Sequence, residues 1–190
     1  MTAAHQELEL KARVPDPASF HRAMTDGGAP LVFRGRMEDR RYDRNGELTA
    51  TDVVLRTRKL SPDEGDPEMV LGWKGPVRIS EHGYKLREEL EYRIEGGASP
   101  APMLLALGYV IVHAIDRRIE VYAHAGATLR LEQYPRMDAL LEIEGPPAAI
   151  EVAIALSGIP RSEFLPDSLS AFVDRFEKRT GERALVSFPP

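Results

Sequence analysis

The chain has no cysteine among its 190 residues, which excludes disulfides, thiolate nucleophiles and cysteine-ligated zinc. It also has no long hydrophobic run. The longest, residues 103–112, is too short to cross a bilayer, and the acidic N-terminal segment is unlike a signal peptide. Positive charge is not in excess either, since the formal net charge is −5. We therefore expect a cytoplasmic protein that binds neither a membrane nor nucleic acid.

The composition is that of an ordinary globular protein, with 43% hydrophobic and 29% charged residues. The length suits one hydrophobic core, and no linker rich in proline or glycine divides the chain. The sequence therefore predicts a single domain over residues 1–190.

Helix signals occur at four places. Asp16 and Pro17 are typical N-cap and first-turn residues, and a pair of glycines ends the apolar stripe that follows them. Glycines also end three further segments with helical periodicity, residues 100–107, 147–157 and 167–180. We expect the last of these to pack on the rest of the domain as a C-terminal helix.

Most of the remaining chain favours β-strands, with boundaries uncertain by about 2 to 4 residues. Short polar connections such as Asn45-Gly46 separate the strands, which favours an antiparallel sheet that curls or closes, with the helices outside. The predicted strands are residues 5–14, 32–44, 51–60, 68–75, 84–95, 109–122, 127–134 and 139–145.

Several of these strands carry charged residues on one face and apolar residues on the other. In HQELELKARV, residues 5–14, Glu7, Glu9 and Lys11 share a face opposite Leu8 and Leu10. The same alternation assigns to charged faces Arg56, Arg58, Lys74, Arg87, Glu89, Glu91, Glu142 and Glu144, with one of the adjacent residues Arg117 and Arg118.

Such faces are either the solvated side of a half-buried sheet or the lining of a barrel. Their recurrence on separate strands favours the lining. An enclosed lining of six acidic and six basic groups must be compensated, because unpaired buried ions are costly. Carboxylates suit Mg²⁺ or Mn²⁺, and arginine or lysine suits phosphate oxygens, so the lining predicts a metal-bound polyphosphate as ligand.

In its ordered motifs the chain resembles the CYTH family, also called triphosphate tunnel metalloenzymes, which includes class IV adenylate cyclases and thiamine triphosphatases. The E-x-E-x-K hallmark stands here as Glu7 to Lys11, and the similarity covers nearly the whole chain in the right order. The further motifs are LRTRK at 55–59, WKGP at 73–76, REELE at 87–91, the basic pair at 117–118, LEQYPRMDALLEIEG at 131–145 and DSLSAF at 167–172.

The resemblance implies an α+β fold with an eight-stranded antiparallel β-barrel that forms a tunnel, dependence on Mg²⁺ or Mn²⁺, and a substrate that carries a triphosphate. By position, the metal carboxylates would be Glu7, Glu9, Glu142 and Glu144. The substrate-binding cations would be Lys11, Arg56, Arg58, Lys74, Arg87 and Arg118. Lys11 and Glu9 would act in catalysis, and the weaker candidates are Glu89, Glu91, Arg117 and Glu132.

Two positions depart from the family pattern. Glu132 follows Leu131 where many relatives have an aspartate, which keeps the charge and leaves Glu132 among the weaker candidates. Arg40 stands two residues before Tyr42, where relatives often have an acidic residue. The role of this strand in the tunnel is therefore open.

Three functions are open at this point. The preferred one is hydrolysis of inorganic triphosphate, or of a nucleoside or thiamine triphosphate. The alternative is an adenylate cyclase, in which the 3′-hydroxyl of ATP attacks and pyrophosphate leaves. The third is a module that binds polyphosphate or nucleotide without turnover, although the full carboxylate set argues against it. Barrels of this kind, with helices outside, often pair into dimers, so a homodimer is among the expected partners.

Overall fold

The computed structural model describes residues 5–188, which form nine β-strands and five α-helices. The strands are β1 (His5–Val14), β2 (Leu31–Asp43), β3 (Val54–Pro62), β4 (Glu68–Lys74), β5 (Arg78–Ile79), β6 (Lys85–Ile94), β7 (Val110–His124), β8 (Ala127–Gln133) and β9 (Ala139–Glu144). The helices are α1 (Pro17–Asp26), α2 (Glu47–Ala50), α3 (Ala101–Ala106), α4 (Pro147–Ser157) and α5 (Leu169–Thr180).

Eight of the strands close into an antiparallel barrel. Their order is β1-β9-β8-β7-β2-β3-β4-β6, and β1 pairs with β6 to complete the circle, while the short β5 adds to the edge of β6. The helices pack outside the barrel. The predicted α+β fold with an eight-stranded antiparallel barrel is therefore confirmed.

The main hydrophobic core lies between the outside of the barrel and helices α1 and α4. Leu10 of β1, Leu129 of β8 and Ile143 of β9 are fully buried there, together with Phe20 of α1 and Ile150 of α4. Because successive side chains of a strand point to opposite faces, burying these residues outward turns their charged neighbours inward.

The helix ends follow the expected capping chemistry. The Asp16 carboxylate accepts hydrogen bonds from the backbone N–H groups of Ala18 and Ser19, at 3.0 and 3.2 Å, and starts α1. Gly158 and Gly181 take left-handed conformations, with φ of 71° and 74°, directly after α4 and α5.

Two short elements were not predicted. Helix α2 is a single turn whose backbone N–H groups at Leu48 and Thr49 are bound by the Asp43 carboxylate, so its anchor lies outside its own four residues. Strand β5 has only two residues. Neither is long enough to show a periodicity.

Within residues 5–188, no helix has both the length and the apolar character needed to cross a membrane. The assignment of residues 1–190 to one domain stays a prediction, and its ends, residues 1–4 and 189–190, lie outside the described part.

Candidate active site in the barrel cavity

The inside of the barrel forms a cavity of about 470 Å³, a volume within the range of small-molecule sites. Nine basic and six acidic side chains line it, an excess of three positive charges in a chain whose net charge is −5. The basic residues are Lys11, Arg41, Arg56, Arg58, Lys74, Lys85, Arg87, Arg117 and Arg130, and the acidic ones are Glu9, Asp39, Asp52, Glu132, Glu142 and Asp174.

Strand alternation brings these residues together. In β1, Glu9 and Lys11 line the cavity, whereas Leu10 between them belongs to the outer core. The antiparallel register then places Glu9 opposite Lys85 of β6 and Glu144 of β9. The charged faces of separate strands therefore converge on one shared interior.

Four arginines, which we call the guanidinium cluster, surround Asp39: Arg41, Arg56, Arg58 and Arg117. Arg58 Nε donates to Asp39 Oδ1 at 2.8 Å, and Arg117 Nη2 lies 3.0 Å from Asp39 Oδ2. Burial alone would raise the pKa of Asp39, but the charges of Arg58 and Arg117 outweigh it and hold the pKa well below its usual value. Asp39 is therefore ionised.

The guanidinium cluster has more donors than acceptors. Among the described residues, Arg41 Nε, Arg56 Nε and Arg117 Nη1 are buried without a hydrogen-bond partner. Burial and the neighbouring charge of Arg56 lower the pKa of Arg41, so this guanidinium is short of negative charge. Since buried unsatisfied donors are costly, the cluster suits a ligand with several anionic oxygens.

Glu132 is a second buried carboxylate held by cations. It accepts hydrogen bonds from Arg117 Nε at 3.0 Å, Arg130 Nε at 3.1 Å and the Tyr134 hydroxyl at 2.6 Å. Burial would raise its pKa, but Arg117 and Lys11 outweigh burial and lower the pKa far below the usual range. Glu132 thus fixes the positions of two arginines instead of offering free oxygens.

The two predicted catalytic residues, Lys11 and Glu9, are both buried and both paired. Lys11 Nζ lies 2.6 Å from Glu142, and Glu9 forms an ion pair with Lys85. Burial would raise the pKa of Glu9, but the charges of Lys85 and Lys11 lower it. Glu142 also pairs with Arg130, which places it on the basic side of the cavity.

Glu7, Glu89 and Glu144 form a group that we call the carboxyl cluster. The carboxyl group of Glu7 is hydrogen-bonded to both of the others, and Lys74 Nζ lies 2.8 Å from it. Burial raises the pKa of Glu89 to about 7 and that of Glu144 to about 8, and contact with Glu7 adds to both increases. The three groups cannot all ionise at neutral pH and must share protons.

A hard divalent cation suits these oxygen donors because its charge can replace the shared protons. Within residues 5–188, however, no three or more aspartate, glutamate or histidine side chains are arranged as a ready-made metal centre. Lys74 forms ion pairs with Glu7 and Glu89, and Lys85 forms one with Glu9. Metal binding would therefore require these side chains to rotate, and the predicted metal ligands stay predictions.

The structure corrects the position of Arg118, which we expected among the substrate-binding cations of the tunnel. Its side chain is 46% exposed, and Arg118 Nη2 donates to Asp63 at 2.6 Å, away from the cavity. The cavity residue is its neighbour Arg117. Adjacent residues of a strand point to opposite faces, so only one of the pair can point inward.

The remaining predicted residues of β3, β4 and β6 lie in or beside the cavity. Arg87 lines it and donates to Asp52 Oδ1 at 2.6 Å. Glu91 is partly exposed and accepts from Arg56 Nη2 at 2.8 Å, so it orients an arginine of the guanidinium cluster. Lys74 lines the cavity and pairs with Glu7 at 2.8 Å, so the carboxyl cluster borders the cavity at this lysine.

Several residues that line the cavity were not predicted from the sequence: Asp39, Arg41, Lys85 and Arg130. The family pattern singled out Arg40 on β2, but the Arg40 side chain lies on the face opposite to Asp39 and Arg41 and pairs with Asp116 at 2.6 Å. Strict alternation would have found the others, because each stands two residues from a recognised or cavity-lining position.

Several solved structures are similar to this chain in fold. The PH1819 protein of Pyrococcus horikoshii is 25% identical with a TM-score of 0.72, over 89% of this chain and 99% of that one. A candidate adenylate cyclase of Vibrio parahaemolyticus is 16% identical with a TM-score of 0.74, over 90% and 99%. HpAC1 of Hippeastrum, a candidate adenylyl cyclase with a dominant triphosphatase activity, is 18% identical with a TM-score of 0.59, over 96% and 100%.

No protein-family model and no curated protein sequence matches the chain. The likeness to solved structures extends over nearly the full length of each and therefore covers the eight-stranded antiparallel barrel of this chain. The chain therefore has the CYTH, or triphosphate tunnel, fold.

Proposed function

We propose that this protein is a metal-dependent triphosphatase that hydrolyses a triphosphate substrate inside the barrel. The observation that carries the proposal is a pair of opposite imbalances inside one barrel, one in the cavity and one beside it at Lys74. The guanidinium cluster has unpartnered N–H donors, and the carboxyl cluster holds protons that a cation can replace. A polyphosphate that carries a divalent cation complements both.

The basic residues would bind the phosphate oxygens. Arg41, Arg56 and Arg117 offer their free donors, and Lys11, Lys74 and Arg87 line the same interior. In phosphoryl transfer the negative charge spreads over the oxygens of the transferred group, so fixed cations around it lower the barrier.

The carboxyl cluster, with Glu9 beside it, would hold Mg²⁺ or Mn²⁺. When bound, such an ion neutralises phosphate charge and lowers the pKa of a coordinated water. The sequence assigned this role to Glu7, Glu9, Glu142 and Glu144. The contacts favour Glu7, Glu144 and Glu89 as the nearest set, because Glu142 is held by Lys11 and Arg130.

Lys11 would act directly on the phosphoryl group that is transferred, and Glu9 would act through Lys85. The ammonium of Lys11 would donate hydrogen bonds to the transferred phosphoryl group, while Glu9 keeps Lys85 in place at the same wall. Water attacks the terminal phosphorus, the bond from that phosphorus to the bridging oxygen breaks, and phosphate and a diphosphate leave.

A cyclase remains the second candidate, supported by the description of the Vibrio parahaemolyticus neighbour as a candidate adenylate cyclase. There the 3′-hydroxyl of ATP would replace water as the nucleophile, and pyrophosphate would leave. The dominant triphosphatase activity ascribed to HpAC1 supports hydrolysis on this fold instead. A binding module without turnover is the third candidate.

The test is an incubation of the purified protein with Mg²⁺ or Mn²⁺ and, in turn, inorganic triphosphate, ATP and thiamine triphosphate. We expect release of phosphate. Pyrophosphate with cyclic AMP would replace the hydrolase by the cyclase, and tight binding without any product would leave only a binding module.

The adjacent arginines supply a matched pair of variants. Arg117→Gln should lower kcat/KM by on the order of 100-fold, since a buried donor to developing charge is lost. Arg118→Gln should leave kcat/KM unchanged, because its side chain lies outside the cavity. Equal losses in both, with both variants folded, would contradict a reaction inside the barrel.

A further inference from the structure

The first part of β7 is a sheet edge that is exposed at residues 110–113, whereas Ile115 is buried. On one side, residues 110–115 pair with β2. On the other side β8 joins only from Arg118 onward, and the backbone N–H of Asp116 bonds to the Val186 carbonyl at 2.7 Å. Among the described residues, no strand pairs with the free side of residues 110–115. Such edges present unpaired backbone groups that can pair with another strand.

This edge is also apolar and exposed. Val110, Ile111 and Val112 are 56%, 47% and 43% exposed, and the segment that leads into β7 adds exposed Met103 of α3 and Leu107 directly after it. Together with Leu105 their exposed surface is on the order of 600 Å², close to the contribution of one partner to a standard protein interface.

Charge points to a second copy of this chain as the occupant. No aspartate, glutamate, lysine or arginine occurs between Glu95 and Asp116, although 29% of the chain is charged. Two copies with a net charge of −5 each would repel one another across most surfaces, but this segment itself brings no charge to a contact, and the neighbouring cation, Arg44, is stacked on Tyr109.

We propose that residues 110–115 of β7 form the centre of a homodimer interface, in which the two edges pair antiparallel. A two-fold axis brings the same patch of both copies together and makes identical strands antiparallel, so a single edge complements itself. The pairing would satisfy the free backbone groups and bury the exposed apolar side chains. The proposal does not depend on the catalytic one.

The test is sedimentation velocity of the full chain from about 1 to about 100 μM. The wild type should show a reversible dimer. Val112→Lys should raise the dissociation constant at least about tenfold, because each copy would carry its new charge into the same interface. The matched control is Val152→Lys on α4, since Val152 is 48% exposed and lies outside the edge.

A mixing experiment tests the symmetry. The Val112→Lys and Val112→Glu variants should each dissociate alone and form a mixed dimer when combined, because a two-fold interface sets opposite charges near each other. Thermal melting of every variant confirms that it is folded. For the wild type, amide hydrogen exchange at residues 111–115 should slow as the protein concentration rises, a measurement that needs no variant.

Three outcomes would overturn the proposal. The first is a wild-type monomer over the whole concentration range, including one that binds a strand of another protein at this edge. The second is a dimer that Val152→Lys weakens as much as Val112→Lys. The third is hydrogen exchange at residues 111–115 that is independent of concentration.

Discussion

The carboxyl cluster and the guanidinium cluster occupy the same interior, yet their acidic groups titrate in opposite directions. Glu89 and Glu144 lie against another carboxyl group, and burial together with Glu7 raises the pKa of both. Asp39 is as buried as Glu89, but Arg58 and Arg117 lower its pKa. Burial raises the pKa in all three cases, and the charge of the neighbours decides whether that rise is reinforced or reversed.

Each cluster alone is an expensive arrangement, since one lacks negative charge and the other holds surplus carboxyl groups. A barrel built only for stability would interleave the two sets and pair every ion. The unpaired donors of the guanidinium cluster and the shared protons of the carboxyl cluster are instead the kind of local cost that accumulates at functional sites.

The largest effect is expected at the centre of the guanidinium cluster. Asp39→Asn leaves Arg58 and Arg117 without their common carboxylate, and breaking a buried ion pair costs about 3–5 kcal/mol of unfolding free energy. Urea denaturation at pH 7 measures it. The control is Asp63→Asn, whose partner Arg118 is exposed, and a loss there should stay within about 1 kcal/mol.

The same variant has a pH signature. Because the folded pKa of Asp39 lies below its unfolded value near 3.9, the wild type gains stability from this group above about pH 4 and loses it as the pH falls further. Asp39→Asn lacks that contribution at every pH. Its unfolding free energy should therefore fall less steeply than the wild type's below pH 4, and parallel curves would contradict the ion pairs.

The next effect concerns the carboxyl cluster. Glu7→Gln removes the charge that contacts both Glu89 and Glu144, and we expect kcat/KM to fall about 100-fold at a fixed Mg²⁺ concentration, or about 2.7 kcal/mol. The Mg²⁺ concentration that gives half-maximal activity should also rise. Glu88→Gln is the control, because Glu88 is exposed on the same strand as Glu89. An unchanged Mg²⁺ requirement would remove Glu7 from the metal site.

A smaller and two-sided effect is expected at Arg41. Arg41→Gln removes a buried cation crowded by Arg56, so the melting temperature of the ligand-free protein should rise by about 2 °C. The KM for triphosphate should rise about tenfold, since one phosphate donor is lost. The exposed Arg13→Gln is the control for both measurements. A lower melting temperature would mean that Arg41 stabilises the fold.

Many of the residues inside the barrel could be predicted from the sequence, because side chains alternate strictly between the two faces of a strand. A period of two residues placed Glu9 with Lys11, and Arg56 with Arg58, on charged faces, and the recurrence of such faces on separate strands favoured the interior, where all four lie. The same pattern and the turn residues predicted an antiparallel sheet that curls or closes, and the resemblance to the CYTH family implied the closed eight-stranded barrel. These are local properties of the sequence, and the structure agrees with them to within a few residues at the strand ends.

The remainder depends on pairings that are distant in the sequence. Either Arg117 or Arg118 satisfies alternation, and the choice is made by the ladder of β7 with β2 and by Asp63, which lies 55 residues away. Likewise Asp39 is recognisable as a site residue only when Arg58 and Arg117 are seen around it. No local pattern reports such contacts.

The smallest effect tests whether the two clusters act on one ligand. If a triphosphate spans both, Mg²⁺ at the carboxyl cluster should tighten triphosphate binding, and triphosphate should tighten Mg²⁺ binding by the same factor, at least about fivefold. Calorimetric titration of each ligand with and without the other measures this coupling. Glu7→Gln should abolish the coupling while triphosphate alone still binds to the guanidinium cluster. If the two ligands bind independently, the two clusters belong to separate sites. A triphosphate that contacts both the guanidinium cluster and a metal ion at the carboxyl cluster must bind more tightly when that ion is present.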